Sequence, residues 1–392
     1  VPALVELDAV ALASVVARAV GRSDIKVGQW SLRSIHAPFN RSTGGLYRVA
    51  GAACAGDQTL AWSVVAKAVG ASKDPFGGTT DASDASYWAR EPSLFESGAL
   101  EHLPGLRSPC CFGVDWRSDT SAWIWLEDIA EHVSPRWSLS DFRLAAHRLG
   151  QFNGAYLAGR PLPSSTHLSH AWHRSFVGTF AAAFDRLPQL RGHPLVRRCW
   201  PGNLLDQVVT LWQERDLLLT ALDELPQTFC HLDAFPRNLL INAATREVVA
   251  VDWSYAGIAA IGAELAPLIA ASACVGDAEA DQLPAIDSTA CDGYLDGLRA
   301  AGWHGESETV RLGYAAAVAL HYGLVPLGIY LTDDRLRPRF EQLFSRDATS
   351  IADHWATVSV YLFDRADEAR TLLRDATTRR RRCDVFHGSA MT

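Results

Sequence analysis

The chain predicts an α+β fold, with a small sheet-rich N-terminal lobe ahead of a larger, mainly helical C-terminal lobe. Three observations predict it. The first third reads as short strands separated by turn signals, with one helix among them. Beyond Ile129 the apolar residues recur at helical spacing. At 392 residues and 42.7 kDa the chain is too long for one simple core, so two domains are expected, at 1–128 and 129–392.

Residues 5–20 read as an amphipathic helix punctuated by Glu6, Asp8 and Arg18. Strands are expected at 26–35, 45–53 and 59–68. A connection rich in Gly, Asp, Ser and Thr follows at 72–86. A helix is expected at 88–100, then strands at 111–114 and 121–126. In the second lobe Ser138-Leu139-Ser140-Asp141 reads as a helix start. Phe142, Ala145, Leu149, Phe152 and Tyr156 then share one face. After a Pro/Ser linker at 161–165, a helix at 203–225 stops before Pro226. Residues 228–230 read as a strand, and 239–241 with 248–251 as a hairpin around a polar turn. From there the pattern reads as helical to the end. Residues 256–276 are apolar but contain Glu264 and Pro267. A buried helix is expected there, because a charge at mid-bilayer is costly.

Composition excludes several classes. Hydrophobic content of 48% and charged content of 20% are those of a globular protein. A net charge of −8 argues against a nucleic-acid partner, despite the basic run at 379–382. Eight cysteines without a C-x-x-C pair read as reduced thiols. With neither a signal peptide nor a membrane span read, the expected address is the cytoplasm. His167, His170 and His173 recur every three residues, but no Cys or carboxylate set joins them as zinc ligands.

The candidate chemistry lies in His231-Leu232-Asp233, Asn238 and Asp252. Asp233, Asn238 and Asp252 are three oxygen-bearing side chains at a spacing that suits Mg²⁺ and a hydroxyl directed at a phosphate. The bland alternative makes Asp233 and Asn238 turn formers and Asp252 a helix cap. Lys67 ends the apolar run Val64-Val65-Ala66, either to meet an anion or to snorkel into water. Glu91 falls at helical spacing with Trp88 and Phe95, and a buried carboxylate there would want Lys67. Pro92 follows it, which keeps Glu96 as the reserve. Gly44 and Gly45 are expected in the turn between the first two strands, either admitting phosphates to backbone N–H groups or closing a hairpin. Residues 123–129 are either a connector between lobes or an edge strand entering a loop. The acids from Asp252 to Asp296 either draw a cationic ligand or face solvent.

Taken in order, these residues resemble a known family. His231-x-Asp233-x-x-x-x-Asn238 resembles the H-R-D-x-x-x-x-N loop of protein kinases, and the run ending in Lys67 resembles V-A-I-K. Asp252 is followed by Trp253-Ser254 rather than Phe-Gly, and no A-P-E segment is present. Gly262-Ala263-Glu264-Leu265-Ala266 is similar to G-x-x-x-D-L-A. The chain thus resembles the aminoglycoside phosphotransferase and choline kinase family, the small-molecule branch of the protein-kinase-like fold, over residues 30–270. The resemblance implies a two-lobed fold with an antiparallel N-terminal sheet. It implies an ATP- and Mg²⁺-dependent kinase that moves the γ-phosphate to a hydroxyl of a small molecule, such as an amino sugar, an aminoglycoside-type antibiotic or an amino alcohol. Asp233 would be the catalytic base, and Asn238 and Asp252 the Mg²⁺ ligands. Lys67 would hold phosphates, Glu91 would position it, and Gly44 and Gly45 would lie near them. Glu127 and Ile129 would offer main-chain atoms to adenine. The chain departs from the pattern at Leu232, where Gly is usual, and at Glu264, where Asp is usual. The alternatives are a nucleotide-binding pseudokinase, a protein kinase, or a metal hydrolase built on His231 and Asp233.

Overall fold

A computed structural model describes residues 9–36, 42–74, 76–129, 136–164 and 166–388. The chain divides into two compact units. The first comprises Val1–Val133, Pro163–Ser169 and Asn238–Ala256, and the second Ser134–Leu162, His170–Arg237 and Gly257–Thr392.

The first unit is built on helix α1 (Ala9–Val20) and strands β1 (Lys26–His36), β2 (Thr43–Ala55), β3 (Gln58–Gly70), β4 (Cys111–Ser118) and β5 (Ser121–Glu127). The strands form one antiparallel sheet in the order β1-β2-β3-β5-β4. Strand alternation sorts β5 between two cores. Trp123 and Trp125 pack with Leu12, Val15 and Val16 of α1. Ala122, Ile124 and Leu126 pack with Val69, Trp88 and Ala89, next to helix α2 (Arg90–Glu96). Lys67 lies opposite Ile124 in the β3–β5 ladder, so it emerges on the α2 side. The 72–86 connection is a series of Asx turns, in which Asp74, Asp81 and Asp84 each accept the N–H two residues on. The hairpin of β7 (Leu239–Ile241) and β8 (Val248–Ala250) also belongs to this unit. Arg107 bonds to it through both main-chain groups, at 3.1 Å to the Val248 carbonyl and 2.8 Å from the Ala250 N–H.

The second unit contains α3 (Leu139–Leu157), α4 (Leu204–Glu224), β6 (Gln227–Cys230), β9 (Gly257–Ala260), α5 (Leu283–Ala300), α6 (Ser307–Val318) and α7 (Ala348–Gly388), with shorter helical turns between them. A capping box between Ser138 and Asp141 opens α3 at the expected place. Helices α3 and α5 cross backbone to backbone. A Cβ on Gly150 would strike the Tyr294 carbonyl, and one on Gly297 the His147 carbonyl. Buried Asp287 accepts from Arg311, Arg365 and Tyr361, which ties α5, α6 and α7 together.

Two expectations are corrected here. The chain after the hairpin is not helical throughout, because β9 pairs antiparallel with β6. Residues 256–276 are therefore not one helix but β9, a turn, the π-helical stretch Pro267–Ala271 and the short helical turn Ser272–Cys274. The run is nevertheless buried nearly throughout, as its apolar composition requires. One described stretch, Ser307–Tyr330, is long and apolar enough to cross a membrane, and 94% of its most apolar window is buried in the fold.

Candidate active site

In the first unit, β3 delivers Lys67 into a carboxylate pair. Its Nζ lies 2.6 Å from Glu91 Oε2 and 2.8 Å from Asp252 Oδ1. Lys67 is 4% exposed and Glu91 1%. Burial alone would lower the Lys67 pKa, but the charges of Asp252 and Glu91 outweigh it and raise the pKa. Burial pushes the Glu91 carboxyl up, against the pull of Lys67. Glu96 instead accepts Trp116 Nε1 at 2.9 Å, so Glu91 is the partner of Lys67. Glu91 stands in the first turn of α2, where the helix dipole favours a carboxylate. Pro92 is next, within the first turn, where backbone N–H groups have no intrahelical acceptor. The helix starts at Arg90, so Trp88 precedes it and the expected helical face of Trp88, Glu91 and Phe95 does not form.

Asp252 leaves the hairpin in left-handed backbone (φ 61°, ψ 70°), with its side chain 36% exposed. The Trp253 N–H donates to Glu91 Oε1 at 3.2 Å. Asn238 sits before β7, and its carbonyl accepts the Val251 N–H at 2.9 Å, which sets the two ends of the hairpin side by side. A half-exposed carboxylate and an amide suit Mg²⁺, which takes one or two protein oxygens and fills its shell with phosphate and water. No group of three or more His, Cys, Asp or Glu able to hold a metal occurs among the described residues.

Arg90 supports the candidate site and is a residue that sequence reasoning missed. Fully buried, it donates to the carbonyls of Asp84, Ala85, His167 and Ser254, and so fixes the backbone just beyond Asp252. Burial lowers its pKa to about 10. Its place beside Glu91 in sequence was the available signal.

In the second unit, β6 runs into His231, Leu232 and Asp233. Glu264 grips this loop. Its two carboxylate oxygens accept the N–H groups of His231 (2.7 Å) and Leu232 (2.9 Å). Leu232 is left-handed, at φ 64°. The half-buried Asp233 donates its N–H to His231 Nδ1 at 3.3 Å. Glu264 is fully buried, and burial pushes its pKa up to about 7 against the pull of those N–H groups and of Asn153. Arg237, at the loop's end, makes a bidentate pair with Asp277, both bonds 2.8 Å.

The remaining predicted residues fall elsewhere. Gly44 and Gly45 lie inside β2, at a register shift, rather than in a turn; Arg41 lies outside the described residues. Glu127 spends its N–H on the Cys110 carbonyl and its carboxylate on Arg107 and the Cys110 N–H. Ile129 follows β5 half-buried, and 130–135 lie outside the described residues. His167 stacks on Tyr87 in the first unit, and His173 meets Trp172 in the second. Of the acidic run, Asp277, Asp287 and Asp296 are ion-paired with arginines. A cavity of about 560 Å³ beside α2, lined by Phe95, Leu103, Arg107 and Cys110, contains none of Lys67, Glu91, Asn238 or Asp252.

Comparison with known proteins adds a family pattern. No curated protein sequence matches the chain. Among solved structures it is similar to an amicoumacin kinase in complex with AMP-PNP, Ca²⁺ and Ami (11% identity, 82% of this chain and 88% of that one, TM-score 0.49). It is also similar to an aminoglycoside phosphotransferase from Streptomyces rimosus in complex with ADP and streptomycin (16%, 81% and 99%, 0.43). A choline/ethanolamine kinase family protein from Mesorhizobium loti gives 16%, 84% and 92%, and 0.40. Likenesses of this degree carry no information on substrate. Residues 155–305 match the model of the phosphotransferase enzyme family. That stretch includes the His231–Asp252 motif and the Glu264 segment, and over those residues it bears out the resemblance to a phosphotransferase family drawn from the sequence.

Proposed function

We propose that this protein transfers the γ-phosphate of ATP, with Mg²⁺, to a hydroxyl of a small molecule. The observation that carries this reading is the buried Lys67 ammonium, held between Glu91 and Asp252 on the β3 face. A cation fixed in this way is poised to exchange a carboxylate for phosphate oxygens. The family pattern at 155–305, which takes in residues of both units, also supports the reading.

In this scheme Lys67 binds nucleotide phosphates while Glu91 keeps its ammonium oriented. Asn238 and Asp252 would hold Mg²⁺, which supplies charge neutralisation at the phosphates. Asp233 orients the acceptor hydroxyl and takes its proton. Amino sugars, aminoglycoside-type antibiotics and amino alcohols lead the acceptor list by resemblance. The acidic run adds little to that list, since arginines neutralise three of its members.

The test is ADP release on mixing the protein with MgATP and a panel of such alcohols. Asp233→Ala should abolish the acceptor-stimulated release and leave ATP binding by calorimetry near native. Unchanged turnover in that variant rules out the assignment.

A further inference from the structure

We propose that the cavity beside α2 is an effector site: it takes a small molecule with an apolar body and an ammonium head, and its occupation tightens nucleotide binding at Lys67. The coupling rests on Lys67 holding nucleotide phosphates, as proposed above. The site itself does not.

The cavity has the make-up of a small-molecule site. Its volume of about 560 Å³ lies within the range of about 300–1,000 Å³ that such sites occupy. Leu100, Leu103, Leu106 and Pro109 are buried and give it an apolar floor, with Phe95 and Val114 half-buried beside them. Its exposed charges are Arg18, Glu96 and Glu101. Glu96 accepts the neutral Trp116 Nε1–H, and neither it nor Glu101 has an ion-pair partner among the described residues. Arg107 also lines the cavity, but its guanidinium is already matched by Glu127 and Glu247. Two carboxylates against the guanidinium of Arg18 leave an acidic mouth over an apolar floor. That combination favours a cation that can bury its body.

Two walls of the cavity carry the arms that reach Lys67. Phe95 stands one turn beyond Glu91 on α2. Arg107 bonds through its main chain to the Val248 carbonyl and the Ala250 N–H of the hairpin that ends at Asp252. Its guanidinium bonds to Glu247 of the same hairpin at 3.1 Å. All these segments belong to the first unit. A ligand that touches both walls binds best when Glu91 and Asp252 stand around the ammonium, and it shifts the arrangement only by that difference in affinity. Nucleotide phosphates need the Lys67 ammonium in the same place, so the two ligands favour each other.

Tryptamine and phenethylamine are the probes, with indolepropionate and phenylpropionate as their anionic counterparts. None carries a hydroxyl, so none is an acceptor in the sense proposed above. In amide NMR of the full chain the amines should move Leu103, Cys110 and Val114, and the carboxylates should bind at least about fivefold more weakly. Glu101→Lys should invert that order and leave ATP affinity unchanged when no probe is present. In calorimetry, saturating tryptamine should tighten MgATP binding about fivefold, and saturating MgATP should tighten tryptamine by the same factor. Leu103→Trp, which fills the floor, should remove both effects. Glu101→Lys, at an exposed position, keeps the proposal testable if that variant does not fold. Shifts confined to residues outside the cavity overturn the proposal. So do carboxylates that bind as well as the amines, or an MgATP affinity indifferent to tryptamine. Amines bound at the cavity of a chain that binds no MgATP would overturn the nucleotide reading instead and leave the site supported.

Discussion

Glu91 in the first unit and Glu264 in the second are both almost wholly buried, and each accepts a backbone N–H, Glu264 from left-handed Leu232 and Glu91 from the residue after left-handed Asp252. Glu91 braces Trp253, just after Asp252, and Glu264 braces Leu232 itself. Their partners differ. Glu91 meets the Lys67 ammonium, whereas Glu264 meets two backbone N–H groups, an amide and a thiol. Burying a carboxylate costs several kcal/mol either way. A full opposite charge makes the first region a fixed electrostatic clamp. Neutral donors leave the second close to the point of protonation. One fold thus brings two like residues to different ends, one to keep a charge and the other to lose it within reach of neutrality.

The largest effect should come from breaking the first region. Lys67→Ala leaves Glu91 buried without its cation, and should cost about 3–5 kcal/mol in urea unfolding. It should also weaken ATP binding, and an unchanged dissociation constant would remove Lys67 from the site. Adding Glu91→Leu should return much of the lost stability, because a buried apolar pair needs no counter-charge.

A smaller effect sharpens the second region through stability against pH. The folded pKa of Glu264, about 7, lies above the ordinary 4.5, so the fold retains a proton that the unfolded chain releases. That contribution is complete below about 4.5 and is lost as pH rises through about 7. Relative to the native protein, Glu264→Gln should therefore gain stability between about pH 5 and pH 8, by on the order of 2–3 kcal/mol. Melting curves at the two pH values check the sign. A parallel shift at both would mean that Glu264 does not titrate in this range. The smallest effect is expected at Arg237, whose half-exposed guanidinium pairs with Asp277 and holds the same loop from outside. Arg237→Ala should cost less than about 1 kcal/mol, read as a small melting shift that high salt reproduces in the native protein.

The strands of the first unit were legible because turn residues punctuate them, and α3 because Ser138 and Asp141 are spaced as a capping box. Lys67 and Glu91 could be paired from spacing, but the reason given was wrong in part: Trp88 lies outside the helix. β9 escaped because Gly257–Ala260 is a short apolar run merging into more Ala and Leu, where strand and helix have no distinguishing period. Gly44 and Gly45 were read by turn statistics, whereas the β2–β3 ladder extends to both sides of them. Arg90 bonds to four backbone carbonyls, and partners of that kind leave no trace in residue type. Leu232 and Glu264 were each visible as departures from a pattern. That they meet required the structure.

The close crossing of α3 and α5 bears on how such a protein can be altered. Asn153 and Tyr294, which support Glu264, sit at the point where Gly150 meets a carbonyl of the other helix. Packed side chains can change rotamer to admit a new neighbour, but two touching backbones have none to change. Substitution at Gly150 or Gly297 will therefore act as a gate rather than a dial. Libraries aimed at new acceptors can vary the exposed faces of these helices freely, while selection will keep returning glycine at the crossing.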